Sequence, residues 1–215
     1  MKYKYNKAYH SRIHGYLLNS KEYYLIRSRL AFKRYFSQIP FIFNRKIFEF
    51  GGGLGQNVYP LKKNAIIYDI SDFALNFAKK KGINATKNID DIKDNSFDIA
   101  LSSHTLEHLD NPLENLKLLR AKIKKNGMLI LIIPKENREQ TERNNYHLYA
   151  WTSGTIENLL NRAGFKVLST RLFYGTAYYK LRFLAKLSFN LYCLCTAIAG
   201  GLFNLSEYMI IAKRK

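Results

Sequence analysis

Short apolar runs alternate along the chain with segments whose apolar residues recur at three- and four-residue steps. The runs that predict strands are 47–50, 65–68, 97–101, 128–134, 165–168 and 207–212. Helices between such runs place parallel strands side by side and cover both faces of a sheet. The pattern therefore predicts an α/β fold with a doubly wound, mostly parallel sheet and one sizeable core.

Three stretches carry helix signals. One begins at Asn111 and Pro112 and is expected to end at Asn126–Gly127. Another carries apolar positions 156, 159, 160 and 163 and is expected to end at Gly164. The third, residues 21–36, reads as an amphipathic helix with Leu25 on its apolar face.

Glycines at 51, 52, 53 and 55 follow the apolar run that contains Glu49. Glycine accepts backbone conformations with positive φ and lets the main chain approach a ligand closely. Asp69 ends the next apolar run, where a carboxylate can hold a ribose diol. We therefore expect a cofactor of adenosine type at this edge of the sheet.

The spacing of the glycines excludes two common nucleotide sites. A dinucleotide fingerprint needs glycine at its sixth place, which is Gln56 counted from Gly51 and Val58 counted from Gly53. A Walker loop would continue into Gly-Lys-Ser/Thr, which does not follow here. A nicotinamide oxidoreductase and a P-loop protein are thus disfavoured.

The remaining pattern, Glu49-x-Gly51-x-Gly53-x-Gly55, resembles motif I of the class I S-adenosylmethionine-dependent methyltransferases. Residues 96–109 resemble the family's fourth strand and its exit, with Phe-Asp before an apolar run and Leu-Glu-His after it. The resemblance covers roughly residues 46–170 and the last strand. One departure is Lys125-Asn126-Gly127, which keeps only the last glycine of the family's usual Pro-Gly-Gly.

The resemblance implies a Rossmann-like methyltransferase fold with a seven-stranded sheet and S-adenosyl-L-methionine as cofactor. The ammonium and sulfonium of that compound favour nearby carboxylates. The residues expected to bind it are Glu49, Gly51, Gly52, Gly53, Gly55, Asp69, Ile70, Ser102 and Ser103.

The resemblance also suggests a division of the chain. Residues 1–45 are expected to form a basic N-terminal helical cap over the cofactor, and residues 46–215 the methyltransferase domain. Residues 174–205 are expected to be an apolar helical insertion before the last strand. Its segment 187–203 has no charged residue and follows Lys180, Arg182 and Lys186. It is too short and too polar to span a bilayer, so it predicts an interfacial helix, with a core helix or dimer face as the alternatives.

The net charge of +19 is concentrated at the two ends. Residues 1–46 carry +10 and residues 165–215 carry +7, which leaves +2 for the middle. Basic ends attract an anionic membrane surface or nucleic acid. A bias toward lysine-encoding codons could raise the total, but it does not explain why acidic residues avoid both ends.

Two cysteines occur, Cys193 and Cys195, which are too close for an ordinary structural disulfide. We expect reduced thiols in a cytoplasmic protein, which the lack of a secretory signal in the first residues also favours. A Cys-x-Cys metal site would need two further ligands nearby. None is offered, so no metal is expected.

Transfer of a methyl group to oxygen benefits from a base that removes the hydroxyl proton. His104 follows the fourth strand and His147 follows the fifth, so these two are the predicted catalytic residues. Small bacterial relatives with the Leu-Glu-His motif and a late apolar insertion resemble methyltransferases of surface-polysaccharide, lipid-linked sugar or quinone pathways. We therefore expect O-methylation of a glycan or lipid-linked acceptor, with possible peripheral contact at the inner membrane face.

Two other functions stay open at this point. An RNA methyltransferase is favoured by charge alone, although the fourth strand exits into Ser102-Ser103-His104 rather than the Asn/Asp-Pro-Pro-Tyr/Phe used on base amines, and no RNA-binding module is visible. A cofactor-binding protein without catalysis is the other alternative. The complete set of Glu49, Gly51, Gly53 and Asp69 argues against it.

Overall fold

The computed structural model describes residues 5–135, 146–175 and 178–215. Its centre is a seven-stranded sheet in the order β3-β2-β1-β4-β5-β7-β6, parallel except for β7, which runs antiparallel to both of its neighbours. This confirms the predicted fold class. The strands are β1 (Ile47–Phe50), β2 (Ala65–Tyr68), β3 (Asn84–Thr86), β4 (Phe97–Ser103), β5 (Ile123–Pro134), β6 (Phe165–Tyr174) and β7 (Ser206–Arg214).

Helices precede, connect and cover these strands. The α-helices are α1 (Lys7–Asn19), α2 (Lys21–Ala31), α3 (Asp72–Lys80), α4 (Pro112–Lys122), α5 (Ser153–Arg162), α6 (Arg182–Leu187) and α7 (Phe189–Leu202). A π-helical turn, Phe32–Phe36, extends α2. Short 3₁₀ turns lie at Ile42–Asn44, Tyr59–Leu61, Ile89–Asp91, Leu106–His108 and Tyr179–Leu181.

The core lies on both faces of the sheet, as expected for parallel strands covered by helices. All four residues of β1 are buried, and successive side chains enter opposite clusters. Phe48 packs with Leu116 of α4 and Ile156 of α5 on one face. Ile47 packs with Leu75 of α3 on the other face.

The C-terminal end of α4 differs from the sequence-based prediction. The helix ends at Lys122, and Ile123 already pairs with Phe97 as the first residue of β5. Asn126 has a left-handed φ of 66°, and the pairing shifts register between Phe97 and Ile99. A Cβ on Gly127 would lie 2.9 Å from the Asp98 carbonyl, so this glycine permits a close approach of two strands and does not stop a helix.

The helix predicted over residues 21–36 is present, with Leu30, Ala31 and Tyr35 buried as expected, but the placement of Leu25 was wrong. The α-helix ends at Ala31 and continues as the π-helical turn, and Leu25 is exposed, not part of the apolar face. The buried face carries Tyr24 and Leu30, which pack with Leu54 of the glycine loop. The hydroxyl of Tyr24 donates to the Leu54 carbonyl at 3.1 Å. The face of α2 that contacts the glycine loop is therefore the buried face.

Ser71, the residue before α3, connects the N-terminal segment to the sheet edge. Its hydroxyl donates to the Tyr5 carbonyl and accepts from Nε2 of the buried His10 at 3.0 Å. It also caps α3 by accepting from the Ala74 amide at 3.2 Å. Its own amide donates to Asp69 at 2.8 Å. Through Ser71 the position of α1 depends on the residues that follow β2.

The insertion before the last strand forms α6 and α7. Gly200 of α7 lies directly against Gly175 after β6, because a Cβ on Gly200 would be 1.9 Å from the Gly175 amide nitrogen. The buried face of α7 also carries Phe189, Tyr192 and Thr196. Its opposite face exposes an apolar stripe, Leu191, Leu194, Ile198 and Leu202, which Leu187 at the end of α6 extends. Within the described ranges, no helix has both the length and the apolar content needed to cross a membrane.

Candidate active site

A cavity of about 880 Å³ lies at the carboxyl ends of the parallel strands, beneath α1 and α2. Its lining includes the glycine loop with Asp69, and also His104 and His147. Helices α1 and α2 contribute His14 and Arg27, among other residues. Ligand sites span roughly 300–1,000 Å³, so this cavity falls at the upper end of the range. One continuous space thus joins the predicted cofactor residues to the predicted catalytic residues.

The glycine loop turns tightly at the end of β1. The amides of Gly51 and Gly52 both donate to the Tyr68 carbonyl, at 2.8 and 3.1 Å. A Cβ on Gly51 or Gly52 would collide with Thr105 or Ile67 respectively. Gly53 differs, because its Cβ would meet nothing within 4 Å. Gly53 therefore leaves the loop open on the side of the cavity.

Asp69 lines the cavity beside this opening. Its Oδ2 accepts from the Gly53 amide and its Oδ1 from the Ser71 amide, each at 2.8 Å. Burial raises the pKa of Asp69 even though these backbone bonds and the charge of His10 lower it. The carboxylate is thus oriented by the backbone toward the space where a ribose diol is expected.

Glu49 lies behind the loop and not on the cavity wall. Its side chain is fully buried, and Oε1 accepts from Nδ2 of Asn57 at 2.7 Å. Among the described residues its Oε2 has no hydrogen-bond partner. Burial raises the pKa of Glu49 to about 8, which the bond from Asn57 only partly offsets. Asn57 itself lines the cavity, so Glu49 supports a residue that faces the ligand space.

The other predicted cofactor residues divide between the cavity and the core. Ile70 and Ser103 line the cavity. Gly55 packs closely against Ile83 and Ser102 is buried within β4, and neither residue lines the cavity. Gly55 and Ser102 therefore support the glycine loop and β4 on the side away from the cavity.

His104 occupies the turn directly after β4 and has a left-handed φ of 50°. Its Nε2 donates to Oε2 of Glu207 at 3.0 Å, and its Nδ1 lies 3.5 Å from Oε1 of Glu107. The ring is 43% exposed, but the space it faces is the cavity. Burial lowers the pKa of His104, and the hydrogen bonds and charges of the two glutamates outweigh it, raising the pKa to about 10. Both ring nitrogens therefore face carboxylates.

Glu207 is a site residue that sequence reasoning did not identify. It lies on β7 and receives bonds from Arg34 and from the Tyr35 hydroxyl, at 3.4 and 3.5 Å, in addition to His104. Burial raises its pKa, but the bond and charge of His104 and the charge of Arg34 lower it overall. The available signal was that Glu207 is the only acidic residue within 165–215.

His147 lies on the cavity wall next to His108. The two rings meet edge to face with centroids 4.6 Å apart. Nδ1 of His108 donates to the Tyr146 carbonyl at 3.1 Å. The segment that follows β5 is attached to the turn after β4, because the Leu148 amide donates to the Glu107 carbonyl at 2.7 Å. The structure thus brings both predicted catalytic histidines to one cavity, on opposite sides of Glu107.

This sheet order, with an antiparallel seventh strand and a glycine loop beside Asp69, defines the class I methyltransferase fold. A family model described as "Methyltransferase domain" matches residues 22–170. The chain therefore belongs to the methyltransferase-domain family and is an S-adenosylmethionine-dependent methyltransferase. No curated protein sequence matches it.

Solved structures with this fold are similar to the chain over most of its length. An S-adenosylmethionine-dependent methyltransferase of Thermotoga maritima is 20% identical with a TM-score of 0.64, and the match covers 97% of each chain. One from Archaeoglobus fulgidus is 18% identical with a TM-score of 0.62, covering 96% of this chain and 98% of the other. At these identities the likeness shows the shared fold.

The residues present fit S-adenosylmethionine. Gly53 leaves free space where a side chain would obstruct a nucleoside, and Asp69 presents a carboxylate at its edge. Asp69 lines the cavity beside the glycine loop and supplies a negative charge there. That charge complements a ligand with an ammonium and a sulfonium.

Proposed function

We propose that this methyltransferase transfers a methyl group to a hydroxyl of a sugar or lipid-linked acceptor at the cytoplasmic membrane surface. The observation that carries the proposal is the exposed apolar stripe on α7, next to the helices that roof the cavity. Tyr192 and Phe189, on the buried face of α7, pack in one cluster with Leu17 and Leu30, which line the cavity. A surface bound to α7 would therefore lie close to the acceptor space.

The exposed face of the insertion has the composition of an interfacial helix. Leu187 and Leu202 are 76% and 79% exposed, and the stripe between them carries no charge. Lys180, Arg182 and Lys186 precede it. The only acidic residue in 165–215, Glu207, is buried. Lys186 pairs with Glu22 at 3.3 Å, while Lys180 and Arg182 add further positive charge. Apolar side chains beside basic residues match an anionic bilayer surface.

The cavity supports a polar acceptor with negative charge. Its lining combines tyrosine rings with the cations Arg12, Arg27 and Arg34. Guanidinium groups recognise phosphate and carboxylate groups well. A phosphorylated or acidic sugar, or a lipid headgroup, would meet these requirements.

S-adenosylmethionine supplies an electrophilic methyl group on a sulfonium sulfur. In the reaction that this group would support, the acceptor oxygen would gain the methyl carbon, the carbon–sulfur electron pair would stay on sulfur, and a base in the cavity would take the hydroxyl proton. Asp69 and the loop at Gly53 orient the nucleoside, so that the cavity aligns oxygen, carbon and sulfur. Of the two predicted catalytic residues, we assign activation of the hydroxyl to His147. Both ring nitrogens of His104 face carboxylates, so neither nitrogen is available to accept the proton of the acceptor hydroxyl.

Vesicle binding and methyl transfer test the proposal together. The double variant Leu194→Glu/Ile198→Glu should lose co-sedimentation with phosphatidylglycerol vesicles in moderate salt, whereas Leu168→Glu, exposed on β6, should retain it. Labelled cofactor should transfer its methyl group to lipid-linked sugars. Binding that disappears entirely in moderate salt for the unaltered protein would refute the membrane part. Methylation of structured RNA with a steep salt slope would instead establish the RNA alternative.

A further inference from the structure

Glu107, in the turn after β4, is a buried carboxylate that the site described so far pairs only with His104, through one of its two oxygens. The side chain is 0% exposed. Among the described residues neither oxygen accepts a hydrogen bond of good geometry, and its one ionic neighbour is His104 at 3.5 Å. A buried carboxylate is costly unless it is paired, hydrogen-bonded or coordinated to a metal.

His108 and His147 place two imidazoles beside this carboxylate. One ligand atom from each of the three residues lies within 4.8 Å of the others. Ligand atoms around a tetrahedral zinc ion are roughly 3.3 Å apart, given bonds of about 2.0–2.1 Å. A side-chain movement of about 1.5 Å would therefore close the set around an ion.

The hydrogen bonds around the cluster suit ligation. Because Nδ1 of His108 donates to the Tyr146 carbonyl, its Nε2 carries the lone pair. Metal-binding histidines usually donate their second N–H in this way, which fixes the tautomer and orients the ring. The bond from the Leu148 amide to the Glu107 carbonyl at 2.7 Å holds the two ligand-bearing segments together.

We propose that Glu107, His108 and His147 bind a divalent first-row metal ion, Zn²⁺ being the best match. Two imidazoles with one carboxylate form a three-ligand set that leaves a fourth position open. His108 and His147 both line the cavity, so the open position faces the acceptor space. This departs from the expectation of no metal, which considered only Cys193 and Cys195.

The role of the ion rests on the proposed O-methyl transfer, whereas the binding site does not. An acceptor hydroxyl that completes the coordination would lose its proton more readily. His147 would then activate the acceptor by holding the ion. Glu107 and Glu207 would balance part of the positive charge of the ion and of His104.

Metal binding by the full chain tests the proposal, measured after chelation and dialysis in a Cys193→Ser/Cys195→Ser background to remove thiol ligands. Co²⁺ absorption and Zn²⁺ calorimetry should show one equivalent bound. His147→Gln and Glu107→Gln should each weaken binding by more than about 10-fold, because even loss of an outer-shell partner costs 10–100-fold. His14→Gln, in the same cavity but outside the cluster, should bind as before. His147 lies outside any helix or strand, so its variant should keep the thermal unfolding curve of the parent.

The outcomes separate the site from the function. Absence of binding, or binding that survives both His147→Gln and Glu107→Gln, would overturn the metal site even if methyl transfer continues. One equivalent of metal on a protein that never methylates a hydroxyl acceptor would support the site and overturn the proposed reaction.

Discussion

The paired glycines of α7 allow a sharp test of how the insertion is attached. We compare Gly200→Ala with Gly201→Ala, adjacent substitutions in one helix. A Cβ at Gly201 meets nothing within 4 Å, whereas at Gly200 it would lie 1.9 and 2.1 Å from the backbone nitrogen and Cα of Gly175. Real Cβ atoms do not approach backbone that closely, so α7 or the end of β6 must move.

The two substitutions share one energy term. Because alanine has the higher helix propensity, replacing glycine by alanine within a helix stabilises the folded state by about 0.8–1.0 kcal/mol at either position. The difference between the variants therefore isolates the cost of overpacking, which is typically about 1–3 kcal/mol. The upper part of that range applies here, because the obstructing atoms belong to the backbone and cannot change rotamer. For a chain of this size, each kcal/mol shifts Tm by roughly 2–4 °C.

Thermal and urea unfolding measure both variants. Gly201→Ala should be slightly more stable than the parent protein, and Gly200→Ala clearly less stable. Equal stabilities of the two variants would refute the close approach of α7 to Gly175. A stabilised Gly200→Ala would refute the assignment of Gly200 to the buried face.

The remaining predictions concern the cofactor side. Gly53→Arg should abolish binding of S-adenosylmethionine in calorimetry with the fold intact, whereas Gly154→Arg, at another open position, should bind normally; retained affinity in Gly53→Arg would mean that the site is elsewhere. Burial raises the pKa of Glu49 from 4.5 to about 8, so the folded state holds a proton that the unfolded state has released, and stability falls as pH rises through this window. Between pH 6 and 8 the free energy of unfolding, measured with urea, should fall by about 2 kcal/mol less in Glu49→Gln than in the parent protein. An equal dependence of this free energy on pH in both proteins would contradict the raised pKa of Glu49. Asp69→Asn should weaken cofactor binding by about 1.5–3 kcal/mol in calorimetry, the value of a hydrogen bond to a charged group, and unaltered affinity would exclude Asp69 from the ribose site.

Features set by neighbouring residues were predictable from the sequence. Six of the seven strands, the glycine loop and Asp69 after β2 follow from local apolar periodicity and from the conformational freedom of glycine, whereas β3 has no apolar run and was not located. The end of α4 was not predictable, because Asn126 and Gly127 signal a helix stop locally, while the approach of Asp98 turns them into a strand irregularity. The local sequence pattern contains no information about this tertiary contact between Gly127 and Asp98.

The candidate site was predictable only in part for the same reason. His104 was found from its position after β4, but its partner Glu207 lies 103 positions further along the chain, far from Glu107, which is only three positions away. The pairing of His104 with Glu207 depends on β7 entering the sheet next to β5. The contribution of Arg27 and His14 to the cavity depends likewise on how α1 and α2 pack over the loop.

Ser71 couples the first helix to the nucleoside subsite. Its amide orients Asp69, while its hydroxyl receives His10 and reaches the Tyr5 carbonyl. Docking of the first helix and occupancy of the nucleoside subsite are therefore linked equilibria. If docking of the first helix increases the affinity for the nucleoside, a bound nucleoside stabilises the docked helix by the same free energy.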